Sequence, residues 1–444
     1  MVGPVTASST STPLERDAAL INAREHRVAP GEIAIGVIIG RTSEFFDFFV
    51  YAIASVLVFP AVVFPYVDAV TGTLYSFALF ALAFVGRPFG TLLFTALDRR
   101  HGRGVKLTIA LFLLGGSTMA MALLPSYHQV GMWSAALLAL FRFSQGMALG
   151  GAWDGLPSLL SLNAPPERRG WYAMIPQLGA PLGLLVAAAL FGYFLYVLPA
   201  DDFLTWGWRY PFFVALAINV VALFARLRIV ATPEFQRLFE TRELQPSPPF
   251  LTVFAEWRTI ALGALATLAS FALFHLVTVF PLSYVTLFAD EPPIRFLIIE
   301  GLGAIVCLGA VVASGVIADR VGRRALLGVS AVLIGAYSGF APQLLNAGPV
   351  GEVFYMLVGF VLLGLAFGQS SGIVNSKFTP EHRYTGAAIV ANSAWLIGAG
   401  FAPLVALLLA TRFGLWSVGA YLLSGAICTL AALAISRDWG DHAA

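Results

Sequence analysis

The chain of 444 residues is 59% hydrophobic and only 11% charged, with a mean hydropathy of +0.83, a composition that excludes a water-soluble globule. Its net charge of +2 is too small to suggest a polyelectrolyte partner, so no nucleic acid is expected. Cys307 and Cys428 both fall in apolar stretches, which argues against a structural disulfide.

Residues 1–30 are polar and lack an apolar core followed by a small-residue cleavage site, so they read as a cytoplasmic tail rather than a signal peptide. Apolar runs follow at 32–60, 72–97, 105–125, 131–162, 169–198 and 208–228. After a charged, Pro-rich stretch they resume at 256–289, 294–318, 325–345, 350–376, 383–411 and 415–436. A spanning helix needs roughly 20 apolar residues, so these runs predict an all-α membrane protein with twelve transmembrane helices. The expected organisation is a six-helix bundle over 31–228, a cytoplasmic linker over 229–255, a second bundle over 256–436 and a short tail over 437–444. Arg99, Arg100, Arg103, Lys106, Arg168, Arg169, Arg320, Arg323, Arg324, Lys377 and Arg383 would then share one side, and Asp68, Asp201, Asp202, Asp290, Glu291 and Glu352 the other. The positive-inside rule puts both termini in the cytoplasm.

The halves repeat. Asp319-Arg320-Val321-Gly322-Arg323 echoes the segment Asp98-Arg99-Arg100-His101-Gly102-Arg103, with the glycines 322 − 102 = 220 residues apart. Gly364-Leu365-Ala366-Phe367-Gly368 echoes Gly146-Met147-Ala148-Leu149-Gly150, at 364 − 146 = 218. Two echoes at one spacing indicate duplication, the build of transporters that rock one half against the other.

Several charges fall inside the spans, where each costs about 2.5–3.5 kcal/mol at the bilayer centre. Glu44 and Asp47 share a helical face three residues apart. Burial and a like-charged neighbour both favour the neutral form of a carboxyl group, which suits a proton carrier; alternatively, Arg41 simply neutralises Glu44. Arg87 and Arg142 offer planar guanidinium forks for a substrate carboxylate, or serve as a gate element and as a fixed bridge from Arg142 to Glu44 or Asp47. Asp154 lies nearer the cytoplasmic side, as a titrating group or an inner-gate charge. Gln145, Gln177, Gln369 and Asn392 either line a cavity or hydrogen-bond between helices. His275 and Glu300 sit in the seventh and eighth spans; His275 is a candidate substrate contact, or is satisfied by a neighbouring carbonyl. Asp98, Arg99 and Arg103, with Asp319, Arg320, Arg323 and Arg324, can bridge helix ends as a gate, although any cytoplasmic loop collects Arg. No phosphate-binding loop, metal-binding pair or nucleophile elbow occurs, so enzyme chemistry and a cofactor have no residues to carry them.

Glu44-Phe45-Phe46-Asp47-Phe48, Gly86-Arg87-Pro88-Phe89-Gly90, Arg142-Phe143-Ser144-Gln145-Gly146 with Gly150-Gly151, and Arg168-Arg169-Gly170-Trp171-Tyr172 form a motif set that resembles that of the metabolite:proton symporter family of the major facilitator superfamily. Pro176-Gln177-Leu178-Gly179-Ala180-Pro181, Trp206-Gly207-Trp208-Arg209 and Thr232-Pro233-Glu234-Phe235 extend it. Two departures stand out: Ala152 replaces the carboxylate that follows the paired glycines, with Asp154 two positions on, and the first loop motif carries an extra residue. The resemblance implies two pseudo-symmetric six-helix bundles in a bacterial inner membrane and proton-coupled uptake of a small organic acid or zwitterion. It further implies loop bridges that hold the outward-open state, and Tyr284 closing the outer mouth. A monomer is expected. Proton-antiport efflux, suggested by Gly179-Ala180-Pro181-Leu182-Gly183, an uncoupled facilitator and a non-transporting sensor are the competing readings.

Overall fold

The computed structural model describes residues 30–152, 160, 164–230, 249–289, 292–371, 378–379 and 382–436. Most of the expected tails and linker, together with Asp154, Asp290, Glu291 and Lys377, lie outside the described residues. Twelve long helices are present among those described. The first six are α1 (Pro30–Leu57), α2 (Ala69–His101), α3 (Arg103–Ala122), α4 (Trp133–Gly151), α5 (Arg169–Val197) and α6 (Tyr210–Val230). The last six are α7 (Pro249–Phe288), α8 (Pro293–Val321), α9 (Arg323–Leu345), α10 (Gly348–Phe367), α11 (Arg383–Phe413) and α12 (Trp416–Ile435).

The packing obeys a repeat. In the first six helices the extensive contacts are α1 with α5 and α6, α2 with α4, and α3 with α4 and α6. Adding six to each number gives α7 with α11 and α12, α8 with α10, and α9 with α10 and α12, all of which are made. Contacts across the halves follow the same rule, because α5 against α8 becomes α11 against α2. The duplication read from two short echoes therefore extends to the whole arrangement.

Both echoes have physical work to do. Gly102 (φ 83°) and Gly322 (φ 88°) each turn the chain from one helix directly into the next, a backbone conformation open to residues without Cβ. At the second echo, a Cβ on Gly146 would lie 2.1 Å from the Ala83 carbonyl oxygen, and one on Gly150 2.2 Å from that of Arg87. Their counterparts Gly364 and Gly368 pack as tightly on Cys307, Ala310 and Ser314 of α8. Small residues let two backbones approach where lipid supplies no hydrophobic driving force between helices.

Helix ends differ from the apolar runs at the same two repeat-related places. Apolar character continues to residue 162 and to residue 376, but α4 ends at Gly151 and α10 at Phe367. The seventh helix is kinked at Glu256 and broken at Thr267 and at Val279. Pro281 removes a backbone donor just after the second break, and the Tyr355 hydroxyl donates to the Leu276 carbonyl at 2.5 Å beside it. In α11, Trp395–Gly400 form a π-helical turn.

Candidate functional site

Ten of the twelve helices are long and apolar enough to cross a membrane by composition alone. The two that fall short are α1, which carries Arg41, Glu44 and Asp47, and α4, which carries Arg142, Ser144 and Gln145. These two helices hold the central polar site, so the residues that weaken their apolar character need a role that compensates for the burial cost.

Asp47 is buried, and one carboxylate oxygen, Oδ2, accepts from the Asn219 amide of α6 at 2.6 Å. Ser43 donates to the same amide's oxygen at 2.5 Å. The other oxygen, Oδ1, has no formed hydrogen bond; the Thr118 hydroxyl stands close to Asp47 but donates to the Leu114 carbonyl at 2.9 Å. Arg142 is fully buried; its Nε donates to the Phe80 carbonyl at 3.2 Å and its Nη1 to Gln145. Gln145 in turn donates to Thr118 of α3 at 2.9 Å. Arg142 Nη2 has no partner. Asp47 and Arg142 act on each other electrostatically without forming an ion pair. Glu44 is instead bridged by Arg41, one turn earlier.

Aromatic rings cover these charges. The Arg142 guanidinium lies 3.9 Å from the Tyr51 ring centroid and 4.8 Å from that of Phe80, and the Arg87 guanidinium lies 5.3 Å from Trp395 and 5.5 Å from Phe84. Ring faces attract a guanidinium and supply part of what water would have given it. His275 of α7 stacks on Phe48 of α1 at 5.0 Å. The Thr278 hydroxyl donates to the Phe274 carbonyl at 2.8 Å, so its single hydrogen is used and it accepts from His275 Nδ1 at 3.3 Å. The ring proton is thereby assigned to Nδ1, and Nε2 keeps an unpartnered lone pair. Phe45, Phe274, Phe367 and Trp395 close the remaining space between the halves. The centre is filled by rings, so the molecule is in a closed state.

At the end of the bundle that carries both loop motifs, the halves are fastened together. Asp319 accepts from the Gly170 and Trp171 backbone N–H groups at 2.6 and 3.1 Å, at the N-terminus of α5, where a helix presents unpaired donors. Arg323 donates to the Arg169 carbonyl at 3.2 Å and to Gln369 at 3.3 Å, and Gln369 donates to the Gly170 carbonyl at 3.1 Å. On the pseudo-equivalent seam, buried Lys106 lies 3.4 Å from Asp98 and donates to the Tyr384 hydroxyl of α11 at 2.9 Å. Asn392 donates to Thr91 at 2.8 Å and Gln177 to Ser370 at 3.4 Å, both between the halves.

Residues 45–391 match the sequence profile of the Major Facilitator Superfamily. The chain belongs to that superfamily. It is 35% identical to the inner membrane metabolite transport protein YhjE of Escherichia coli over 97% of this chain and 98% of that one. It is 30% identical to the shikimate transporter of Escherichia coli, over 91% and 94%. Among solved structures, a D-xylose-proton symporter shares the fold with a TM-score of 0.69 at 17% identity, covering 92% of this chain and 97% of that chain.

In this major facilitator protein the expected site residues separate into groups. Asp47, Arg142, Gln145, Arg87 and His275 meet at the centre, joined through Phe48 and Trp395. Gln369, Gln177 and Asn392 tie the halves near the loop motifs. Arg324 is not at the seam: both its terminal nitrogens donate to the last carbonyls of α12, at Leu433 and Ser436. Arg99 and Arg320 are exposed, and the Arg103 side chain lies outside the described set. Sequence reading passed over Tyr51, Phe80, Trp395, Asn219 and Tyr384. Of these only Asn219, a lone amide in an apolar span, carried a signal.

Proposed function

We propose that this major facilitator protein takes up a small organic acid by alternating access, with a proton carried on Asp47 and the cargo carboxylate met by Arg142 and Arg87. The observation that carries this reading is the pair of open valences at the centre: Asp47 Oδ1 and Arg142 Nη2 are buried, mutually attracting and unpartnered. A buried polar group left unpaired is costly, and a proton on the one with a carboxylate on the other relieves both. A fixed bridge would have joined them directly. The kinship to the shikimate transporter supports a carboxylate cargo.

Uptake would proceed as Asp47 protonates, the cargo displaces the rings around Arg142, Arg87 and His275, and the halves rock. The latch around Asp319 and Lys106 would then open the cytoplasmic side, which by the positive-inside argument is the loop-motif end. Gly179 and Gly183, the sequence feature behind the efflux reading, lie against the α1 backbone at Arg41 and Phe46, where close packing gives them a reason that needs no antiport.

The test is uptake by proteoliposomes screened against small carboxylates and betaines under an imposed pH gradient. The expected result is accumulation of one carboxylate, collapsed by a protonophore. Accumulation indifferent to the protonophore would overturn the coupling, and accumulation of betaines alone would overturn the cargo class.

A further inference from the structure

Glu300 of α8 is fully buried, and neither of its carboxyl oxygens has a hydrogen-bond partner. The central site described above does not include it. Its potential partners are engaged elsewhere. On its own helix Arg295 bridges Glu352 of α10 at 2.9 Å. From α10 the Tyr355 hydroxyl donates to the Leu276 carbonyl, and from α7 the Tyr284 hydroxyl reaches Asn346, while His275 uses Nδ1 on Thr278 and sets its ring among Phe48, Phe80 and Phe84 at the centre. On α5, Tyr193 and Tyr196 are turned outward and exposed. Cys307, two turns further along α8, is a neutral thiol position on the same side. Among the described residues no cation forms an ion pair with Glu300. An ionised carboxylate buried without a protein donor or counter-charge is strongly disfavoured in such surroundings, so the neutral acid is the form this closed state admits.

Its direction matters as much as its burial. On one flank, Gly303 and Cys307 press on Phe360 and Gly364 of α10. On the other flank, a Cβ on Gly301 would lie 3.7 Å from Leu185 of α5, in the opposite half. Glu300 therefore points into the wedge between α10 and α5. Ala318 lies 318 − 300 = 18 residues on, five whole turns at about 3.6 residues each, and shares that direction; its Cβ would lie 2.7 Å from a Cβ on Gly170. The face that carries Glu300 is thus the face that the Asp319 latch clamps to the other half.

We propose that Glu300 is a second proton-binding site, on the C-terminal half, which holds its proton in the closed state and meets water when the α5–α8 seam opens. The proton's use in transport rests on the coupled reading above; its presence and its gating by the seam do not.

The experiment is infrared spectroscopy of the full chain in lipid vesicles at pH 7. A neutral-acid carbonyl band is expected in the wild type, missing in Glu300→Gln and restored in Glu300→Asp. A band unchanged by Glu300→Gln would overturn the assignment. Should Glu300→Gln fail to assemble, dicyclohexylcarbodiimide, which adds to neutral acids in apolar surroundings, should label Glu300 in the wild type, and no adduct there would count equally against it. Gating is read from the rate at which the band shifts in deuterated water. Asp319→Asn, which weakens the latch, should speed that exchange at least tenfold, whereas an unchanged rate would make Glu300 a sealed core acid and sink the proposal. Failure of Asp47 as a carrier would leave both spectroscopic results standing, so the two ideas fail separately.

Discussion

Asp47 holds Asn219 through one oxygen and leaves the other open. An amide in its place keeps the shape and the contact but cannot release a proton. A gradient of one pH unit stores about 1.4 kcal/mol per proton, enough for about tenfold accumulation. Asp47→Asn should lose that accumulation in proteoliposomes while exchange of cargo across an equal concentration persists; retained accumulation would remove Asp47 from the coupling path. Arg142 binds the Phe80 carbonyl and Gln145 through separate nitrogens and lies against Tyr51, and an ammonium cannot reproduce that fork. Arg142→Lys should weaken cargo affinity by about 2 kcal/mol, roughly thirtyfold, the worth of a hydrogen bond to a charged group. Unchanged affinity in a binding titration would assign Arg142 a packing role. Asp47 and Arg142 were legible in the sequence because a charge in an apolar span announces its own cost. Phe48, Tyr51 and Trp395 were not, since an aromatic ring that lines a site and one that fills a core look the same in a hydrophobic helix.

The helices pair through backbone contact rather than side-chain bulk. Gly146 and Gly86 of α4 and α2 each meet the partner helix's carbonyl, at 2.1 and 2.6 Å from an ideal Cβ. Gly146→Leu should destabilise the α2–α4 pair by about 1–3 kcal/mol through overpacking, seen as a lower unfolding temperature in detergent. Gly116 of α3 has open space around it, so Gly116→Ala should be neutral or stabilising by up to about 1 kcal/mol. Equal effects at the two positions would refute the close-contact account. Element number was readable from hydropathy, as was the repeat from its glycines. The breaks in α7 and the π-helical turn that brings Trp395 over Arg87 were not, because an apolar run has the same composition whether its helix is straight, broken or overwound.

Across the whole molecule, one symmetry relation sets both the packing within each half and the seams between them. The loop-motif end is fastened by Asp319, Arg323 and Lys106, so Asp319→Asn should widen the distance between spin labels on the ends of α5 and α8; an unaltered distance distribution would leave the latch without a gating role. The positive-inside reading expects reporter fusions at the C-terminus to fold in the cytoplasm, and a periplasmic readout would invert the direction assigned to the latch. The sequence alone determined the membrane class, the twelve spans, the duplication and the presence of intramembrane charge, because each follows from transfer costs summed along the chain. Only the tertiary structure decided which charges face one another. It bridges Glu44 to Arg41, leaves Asp47 and Arg142 half-satisfied at the centre and turns Glu300 into the seam, since partner choice depends on helices hundreds of residues apart in sequence that meet only after packing.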